Sequence, residues 1–166
     1  MKRVLIIGCS GSGKSTLARK IVDECGLPYY DTDSMYWKED GTLASDDEVV
    51  SRIPLDDDEW VLDGNFVTKR DEVWGRADTI IWIDKSRWKT MYQVVKRNLG
   101  WWLKRESGWA KERMSLARAL SGIRHSWKRY PQVRDHFPQY LEEQKHAVIW
   151  RIRNEEDYKK VMRDLG

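Results

Sequence analysis

Nine consecutive residues, Gly8-Cys9-Ser10-Gly11-Ser12-Gly13-Lys14-Ser15-Thr16, fit the pattern G-x-x-x-x-G-K-[ST] and could hold a polyphosphate. The residue types dictate the chemistry. Glycines let successive backbone N–H groups turn inward as a nest for an anion, with the positive end of a helix behind them. Ser10, Ser12 and Thr16 complete the loop. Lys14 supplies a point charge for the terminal phosphates, and the Ser15 hydroxyl can join the shell of a Mg²⁺ ion. A flexible Gly/Ser turn is the competing reading. Context decides against it, because the apolar run "RVLIIG" precedes the loop and the amphipathic "STLARKIVDEC" follows.

A Mg²⁺–nucleotide site also needs carboxylates at the same edge of the sheet, where the carboxyl ends of parallel strands gather. The chain offers Asp31 and Asp33 after a second strand, Asp63 after a third and Asp84 after a fourth. Asp63 follows "WVL" in the manner of a metal-binding acid and is assigned, with Ser15, to Mg²⁺. Asp84, ahead of "KSRW", reads as a turn or helix-cap aspartate.

The elements that must position these groups are legible as a pattern. "RVLIIG" (3–8), "LPYYD" (27–31), "EWVLDG" (59–64), "DTIIWID" (78–84) and "HAVIWRI" (146–152) are short and rich in Val, Ile and aromatics. Several are continuously apolar, as strands covered on both faces are. Helical stretches at 14–25, 45–53, 86–105, 109–129, 132–144 and 154–164 alternate with them, which predicts an α/β fold with a parallel sheet. Apolar residues at 109, 116, 120, 123 and 127 predict one buried stripe on the fourth of these helical stretches, the one starting at 109. Gly100 and residues 106–108 mark bends, and "DDDE" at 56–59 reads as a solvated turn.

A length of 166 residues predicts a single domain, with a core formed by 1–85 and 145–166 and a basic helical region over 86–144. No apolar run is long enough to span a membrane. The apolar run at the N-terminus gives way to glycines and a lysine rather than a cleavage site, so no signal peptide is expected. Two cysteines, Cys9 and Cys25, make neither a disulfide framework nor a metal cluster, and reduced thiols in the cytoplasm are the reading. Charge is unevenly spread: residues 31–63 carry twelve acidic and two basic side chains, and 86–134 carry thirteen basic and two acidic ones. That asymmetry fits either a nucleic-acid face or an anion site opposite an acidic, metal-binding wall.

"LIIGCSGSGKSTLARKI", "DTDSMYW", "WVLDGNF", "RADTIIWID" and "RWKTMYQVVKRNL", in this order, resemble the P-loop proteins labelled topology modulation (FlaR-like), relatives of adenylate kinase. The resemblance covers most of the chain. It implies a three-layer P-loop NTPase fold: a five-stranded parallel sheet of nucleoside-monophosphate-kinase type with a mobile helical lid. It implies ATP as phosphoryl donor and a nucleotide or other small molecule as acceptor. By position, Asp31, Asp33 and Trp37 would line the acceptor pocket, and Asp63, Gly64 and Asn65 would sit between metal and acceptor. Arg97, Arg105, Arg124 and His125 would approach the phosphates from the lid, with Arg97 and Arg124 stabilising the transition state. True adenylate kinases read Asp-Gly-Phe-Pro-Arg where this chain reads Asp63-Gly64-Asn65-Phe66. The arginine for an acceptor phosphate is missing there, although Lys69 and Arg70 follow soon after. "DTD" at 31–33 also resembles the second-strand motif of shikimate kinase, which would give Asp33 a base or orienting role toward an acceptor hydroxyl. The acceptor is left open between these readings.

The basic, tryptophan-bearing stretch "RNLGWWLKRESGWAKER" (97–113) reads first as a lid, since phosphoryl transfer needs charge stabilisation and exclusion of water. Trp101, Trp102 and Trp109 would then hold the lid helices together. A nucleic-acid surface is the second reading. An oligomer interface or plain structural helices come next, and a membrane-surface helix fits poorly because polar residues interrupt its apolar face. The rival for the whole chain is a nucleotide-dependent regulatory or nucleic-acid-binding protein with little kinase activity.

Overall fold

The structure, a computed structural model, describes residues 2–38, 42–103 and 116–165. Five parallel strands, β1 (Arg3–Gly8), β2 (Tyr29–Asp31), β3 (Trp60–Asp63), β4 (Thr79–Ile83) and β5 (Val148–Ile152), pair in the order β2-β3-β1-β4-β5. All five anticipated strands form. The sheet is parallel because each crossover from one strand to the next contains helix: α1 (Lys14–Cys25), α2 (Thr32–Met35), α3 (Asp46–Val50), α4 (Arg70–Val73), α5 (Arg87–Leu103) and α6 (Leu116–Glu142). The C-terminal helix α7 (Glu155–Leu165) closes the fold.

Side chains alternate across the pleat. Leu5, Ile7, Leu62, Ile80 and Trp82 face a layer containing Val49, Val73, Trp74, Phe137 and Leu141. Val4, Ile6, Val61, Ile81 and Ile83 face Leu17, Ala18 and Ile21 of α1 and Val161 of α7. These two buried layers make three layers of secondary structure. Trp60, Trp74 and Trp82 are core residues, and the 74 and 82 rings meet Phe137 edge-on at 5.7 and 5.9 Å.

Two expectations for the helices are corrected. The stretches 109–129 and 132–144 are not separate, because α6 runs unbroken through Pro131 and Pro138. Pro131 cannot donate to the carbonyl one turn back, at Trp127. Arg87 replaces the missing donor: its Nη2 bonds Trp127 O at 2.8 Å, and its guanidinium lies 3.6 Å from the Trp127 ring centre. The apolar stripe at 120, 123 and 127 is not buried as expected either, since Leu120 and Trp127 are 54% and 38% exposed. The buried face of α6 begins later, at Tyr130, Val133, Phe137 and Leu141, where the helix reaches the sheet. Upstream, α6 packs on α5, with Trp127 against Trp88 at 5.7 Å. The acidic turn at 56–59 is exposed as expected, with Asp56 paired to Arg76 and Glu59 to Lys2.

No helix among the described residues is long and apolar enough to cross a membrane. Trp109 and Arg105, and the side chains of Trp101 and Trp102, lie outside the described residues.

Candidate functional site

The phosphate-binding loop joins the carboxyl end of β1 to the N-terminus of α1. Gly11 and Gly13 adopt φ 79 and 102, a region that side-chain-bearing residues avoid. At Gly11 there is a second constraint, because a Cβ would lie 2.6 Å from Val94 Cγ2 and 2.8 Å from the Thr90 carbonyl. Helix α5 therefore presses against the loop, and Arg97 on the same helix donates from Nη2 to Ser10 Oγ at 3.1 Å. Lys14 Nζ bonds the Gly8 and Cys9 carbonyls at 3.1 and 3.4 Å. Desolvation lowers its pKa, opposed by Asp33 and Asp63.

Asp63 ends β3 beside Asp31 of β2, the two in register. It is 1% exposed, and Ser15 Oγ donates to its Oδ2 at 2.5 Å. Its Oδ1 is buried with no hydrogen bond among the described residues. Burial raises its pKa, against the Ser15 hydrogen bond and the Lys14 charge. A hydroxyl and a carboxylate in contact, with one carboxylate oxygen to spare, fit a Mg²⁺ ion that takes its remaining ligands from phosphates and water. Among the described residues no group of three or more His, Cys, Asp or Glu could hold a metal unaided. Ser12 Oγ, within the loop, is likewise buried and without a hydrogen bond among the described residues.

The segment after β3 is fixed from several sides. Gly8 N donates to Asn65 Oδ1 at 2.9 Å, so Asn65 ties this segment to the base of the phosphate loop. Gly64 N bonds Ile6 O at 3.1 Å, Trp74 Nε1 bonds Asn65 O at 2.9 Å, and Thr32 Oγ1 donates to Asp63 O. Phe66 is held at φ 42, a costly conformation for an aromatic residue. A Cβ on Gly64 would meet Thr32 Oγ1 at 2.5 Å and Phe66 Cε2 at 2.8 Å. Gly64→Ala is therefore expected to cost about 1–3 kcal/mol by overpacking, read as a fall in Tm of roughly 2–12 °C. An unchanged melting temperature would refute this close packing.

These elements surround a cleft of about 1530 Å³. It exceeds the roughly 300–1000 Å³ of a single small-molecule pocket. Residues 9–16, Asp31, Asp33, Gly64, Asn65, Arg97 and His125 line it, as expected from the sequence. Four anticipated residues do not: Gly8 and Asp63 are buried and off the lining, and Trp37 and Arg124 are exposed. Trp37 is 52% exposed and pairs with Leu43 in an isolated bridge, while its neighbour Tyr36 lines the cleft. Arg124 is exposed and off the wall, whereas Gly122, His125, Ser126, Arg129 and Val133 are on it. Spacings of three and four put those five on one helix face, and Arg124 falls one residue short of it.

The sequence reading missed Arg129, Tyr36, Asp46 and Thr68. Tyr36 OH donates to Asp46 Oδ1 at 2.8 Å, and Thr68 Oγ1 donates to Asp46 Oδ2. The Thr68 bond above all holds Asp46 below the usual carboxylate range, assisted by Tyr36 and Arg129. A helical wheel centred on His125 would have found Arg129 four residues on. Nothing in the sequence pairs Asp46 with Tyr36. Asp84 is also corrected: its carboxylate is engaged by arginines rather than by the amides of the next turn. Arg151 bonds Oδ2 through Nε at 3.0 Å and Nη2 at 2.7 Å, and Arg134 lies at 3.3 Å. Cys9 lines the cleft, but burial pushes its thiol up to about 11, so it stays protonated at neutral pH.

No protein-family profile matches the chain, and no curated protein matches it in sequence. Among solved structures it is similar to a gluconokinase from Sinorhizobium meliloti 1021, with a TM-score of 0.55 and 16% identity over 99% of this chain and 91% of that one. The two share a fold: a five-stranded parallel sheet between helical layers, here with the long helices α5 and α6 between β4 and β5.

Proposed function

We propose that this chain is a phosphotransferase that moves the γ-phosphoryl group of Mg·ATP to a small acceptor, in the manner of adenylate kinase-like proteins and of the topology modulation (FlaR-like) relatives it resembles. One observation carries the reading: the Ser15–Asp63 pair, with a buried carboxylate oxygen left over, lies beside Lys14 at the mouth of a glycine-built phosphate nest. Such a pairing has no use in a plain Gly/Ser turn. Mg²⁺, held by Ser15 and Asp63 directly or through water, would neutralise charge on the phosphate oxygens. The loop amides and Lys14 orient the β- and γ-phosphates. Arg97, joined to Ser10, and Arg129, on the cleft lining, supply positive charge where the transferring group gains negative charge. Asp33 stands on the acceptor side without a hydrogen-bond partner among the described residues, available to a hydroxyl proton.

The nucleic-acid reading has one observation in its favour. Within 87–103 and 116–134 there is no acidic residue, and Trp88 and Tyr92 are 75% and 65% exposed. The two are separated by calorimetry with Mg·ATP followed by ADP release against nucleosides, nucleoside monophosphates, sugars and gluconate. Acceptor-dependent ADP release is expected. ATP bound but not consumed with any acceptor, together with oligonucleotide retention that falls steeply with salt, would overturn the kinase reading in favour of its rival.

A further inference from the structure

We infer that the acceptor is a phosphate-free compound, with one hydroxyl as nucleophile and further hydroxyl or ammonium groups as donors, and that the acceptor wall excludes molecules already carrying a phosphate. The inference rests on the phosphotransferase reading and specifies the acceptor class for it.

The sequence leaves Lys69 and Arg70 as candidates to replace the arginine that adenylate kinases use for an acceptor phosphate. Neither is available in the fold. Lys69 Nζ pairs with Asp47 and, at 3.1 Å, with Glu72. Arg70 pairs through Nη2 with Glu143 at 3.0 Å and lies 4.2 Å from the Tyr140 ring centre. Neither residue lines the cleft. The wall there presents Asp31, Asp33 and Asp46 instead. Asp46 is a fixed anion, because Tyr36 and Thr68 both donate to it. Asp33 makes no hydrogen bond or ion pair among the described residues, so its oxygens are open to donors from a ligand. Behind them Asp63, 1% exposed, keeps an unpartnered Oδ1. Arg129 is the arginine whose charge reaches Asp46 and Tyr36, while Lys14, which feels the Asp33 charge, is bonded to the Gly8 and Cys9 carbonyls of the phosphate loop.

An acceptor phosphate about 4 Å from a carboxylate at the protein surface would lose about three orders of magnitude in affinity before salt screening. A hydroxyl or ammonium group in the same place gains a charge-assisted hydrogen bond. In the transfer step the acceptor oxygen bonds to the γ-phosphorus as the bond from that phosphorus to the β–γ bridging oxygen breaks. The electron pair leaves on ADP, and the hydroxyl proton passes to the Asp33 carboxylate and then to water.

The test compares matched pairs that differ only by a phosphate, adenosine with AMP, cytidine with CMP and glucose with glucose 6-phosphate, together with glucosamine and gluconate. ADP release is measured at saturating Mg·ATP. At least one phosphate-free compound should raise the rate about tenfold or more, and no phosphate-bearing partner should exceed its parent. Preference for a monophosphate would overturn this inference and leave the kinase reading standing. No stimulation by anything, with ATP bound, would overturn both. A second measurement does not depend on finding the acceptor. In protein saturated with Mg·ADP, Asp33→Asn should bind AMP about tenfold more tightly than the wild type, and equal affinities would refute the exclusion by charge.

Discussion

Lys14→Ala is expected to lower acceptor-dependent ADP release by at least about 10³-fold while the protein stays folded. A desolvated cation aimed at developing charge is worth more than one in water, and removing a single preorganised donor from such a site costs on the order of 10²–10³ in kcat. Lys14 exceeds a neutral donor because it carries a full charge. Two opposed effects keep the fold in place. The substitution removes a cation whose pKa burial lowers, a sign that its charged form is held at a cost. It also takes donors from the Gly8 and Cys9 carbonyls, a loss of about 1 kcal/mol for each ordinary hydrogen bond. The checks are steady-state ADP release and thermal unfolding followed by circular dichroism. Full activity in a folded Lys14→Ala protein would remove the phosphate nest from the mechanism, and with it the proposed function.

The parts of the site that were legible in the sequence are those fixed by local chemistry. Residues 8–16 announce a loop because glycine spacing and a terminal lysine are meaningful within one turn of chain. Asp63 was legible because a carboxylate that ends a continuously apolar run must emerge at the sheet edge. The Asp46 side of the cleft was not legible in the same way. Asp46 opens α3 through the Ser45–Glu48 capping box, and in the sequence it looks like any acidic residue in the first turn of a helix. Only the fold brings Tyr36 and Thr68 to its two oxygens. The helices between β4 and β5 were misread for a related reason. Pro131 is a sound stop signal for an isolated helix, and the residue that overrides it, Arg87, is forty positions from the Trp127 carbonyl it satisfies. The apolar stripe at 120–127 was correctly seen as periodic, but periodicity does not say what covers a face. Here the partner is another exposed helix, not the sheet.

Asp63→Asn is expected to separate stability from activity. Asp63 is almost wholly buried, and burial raises its pKa above the ordinary value of 3.8. The folded state thus binds a proton more tightly than the unfolded state. That contribution to stability is fully present below pH 3.8, where both states are protonated, and is lost as pH rises through the raised folded value. Asparagine keeps the shape and an oxygen for the Ser15 hydroxyl, without the charge. In the absence of nucleotide, the variant should match the wild type in melting temperature at acid pH. Its advantage should grow as pH rises and level off once Asp63 is fully ionised. Catalysis should move the other way, with ADP release falling about 10²-fold or more as the carboxylate is lost to Mg²⁺. Added Mg·ATP should also distinguish them. A ligand at a hundred times its Kd stabilises the fold by about 2.7 kcal/mol, and the magnesium-dependent part of that gain should disappear in the variant. A variant less stable than the wild type at neutral pH would mean that Asp63 is held for structure rather than for the metal. Retention of magnesium-dependent stabilisation by Asp63→Asn would take the metal away from the Ser15–Asp63 pair, and the phosphates would then be its only anchor.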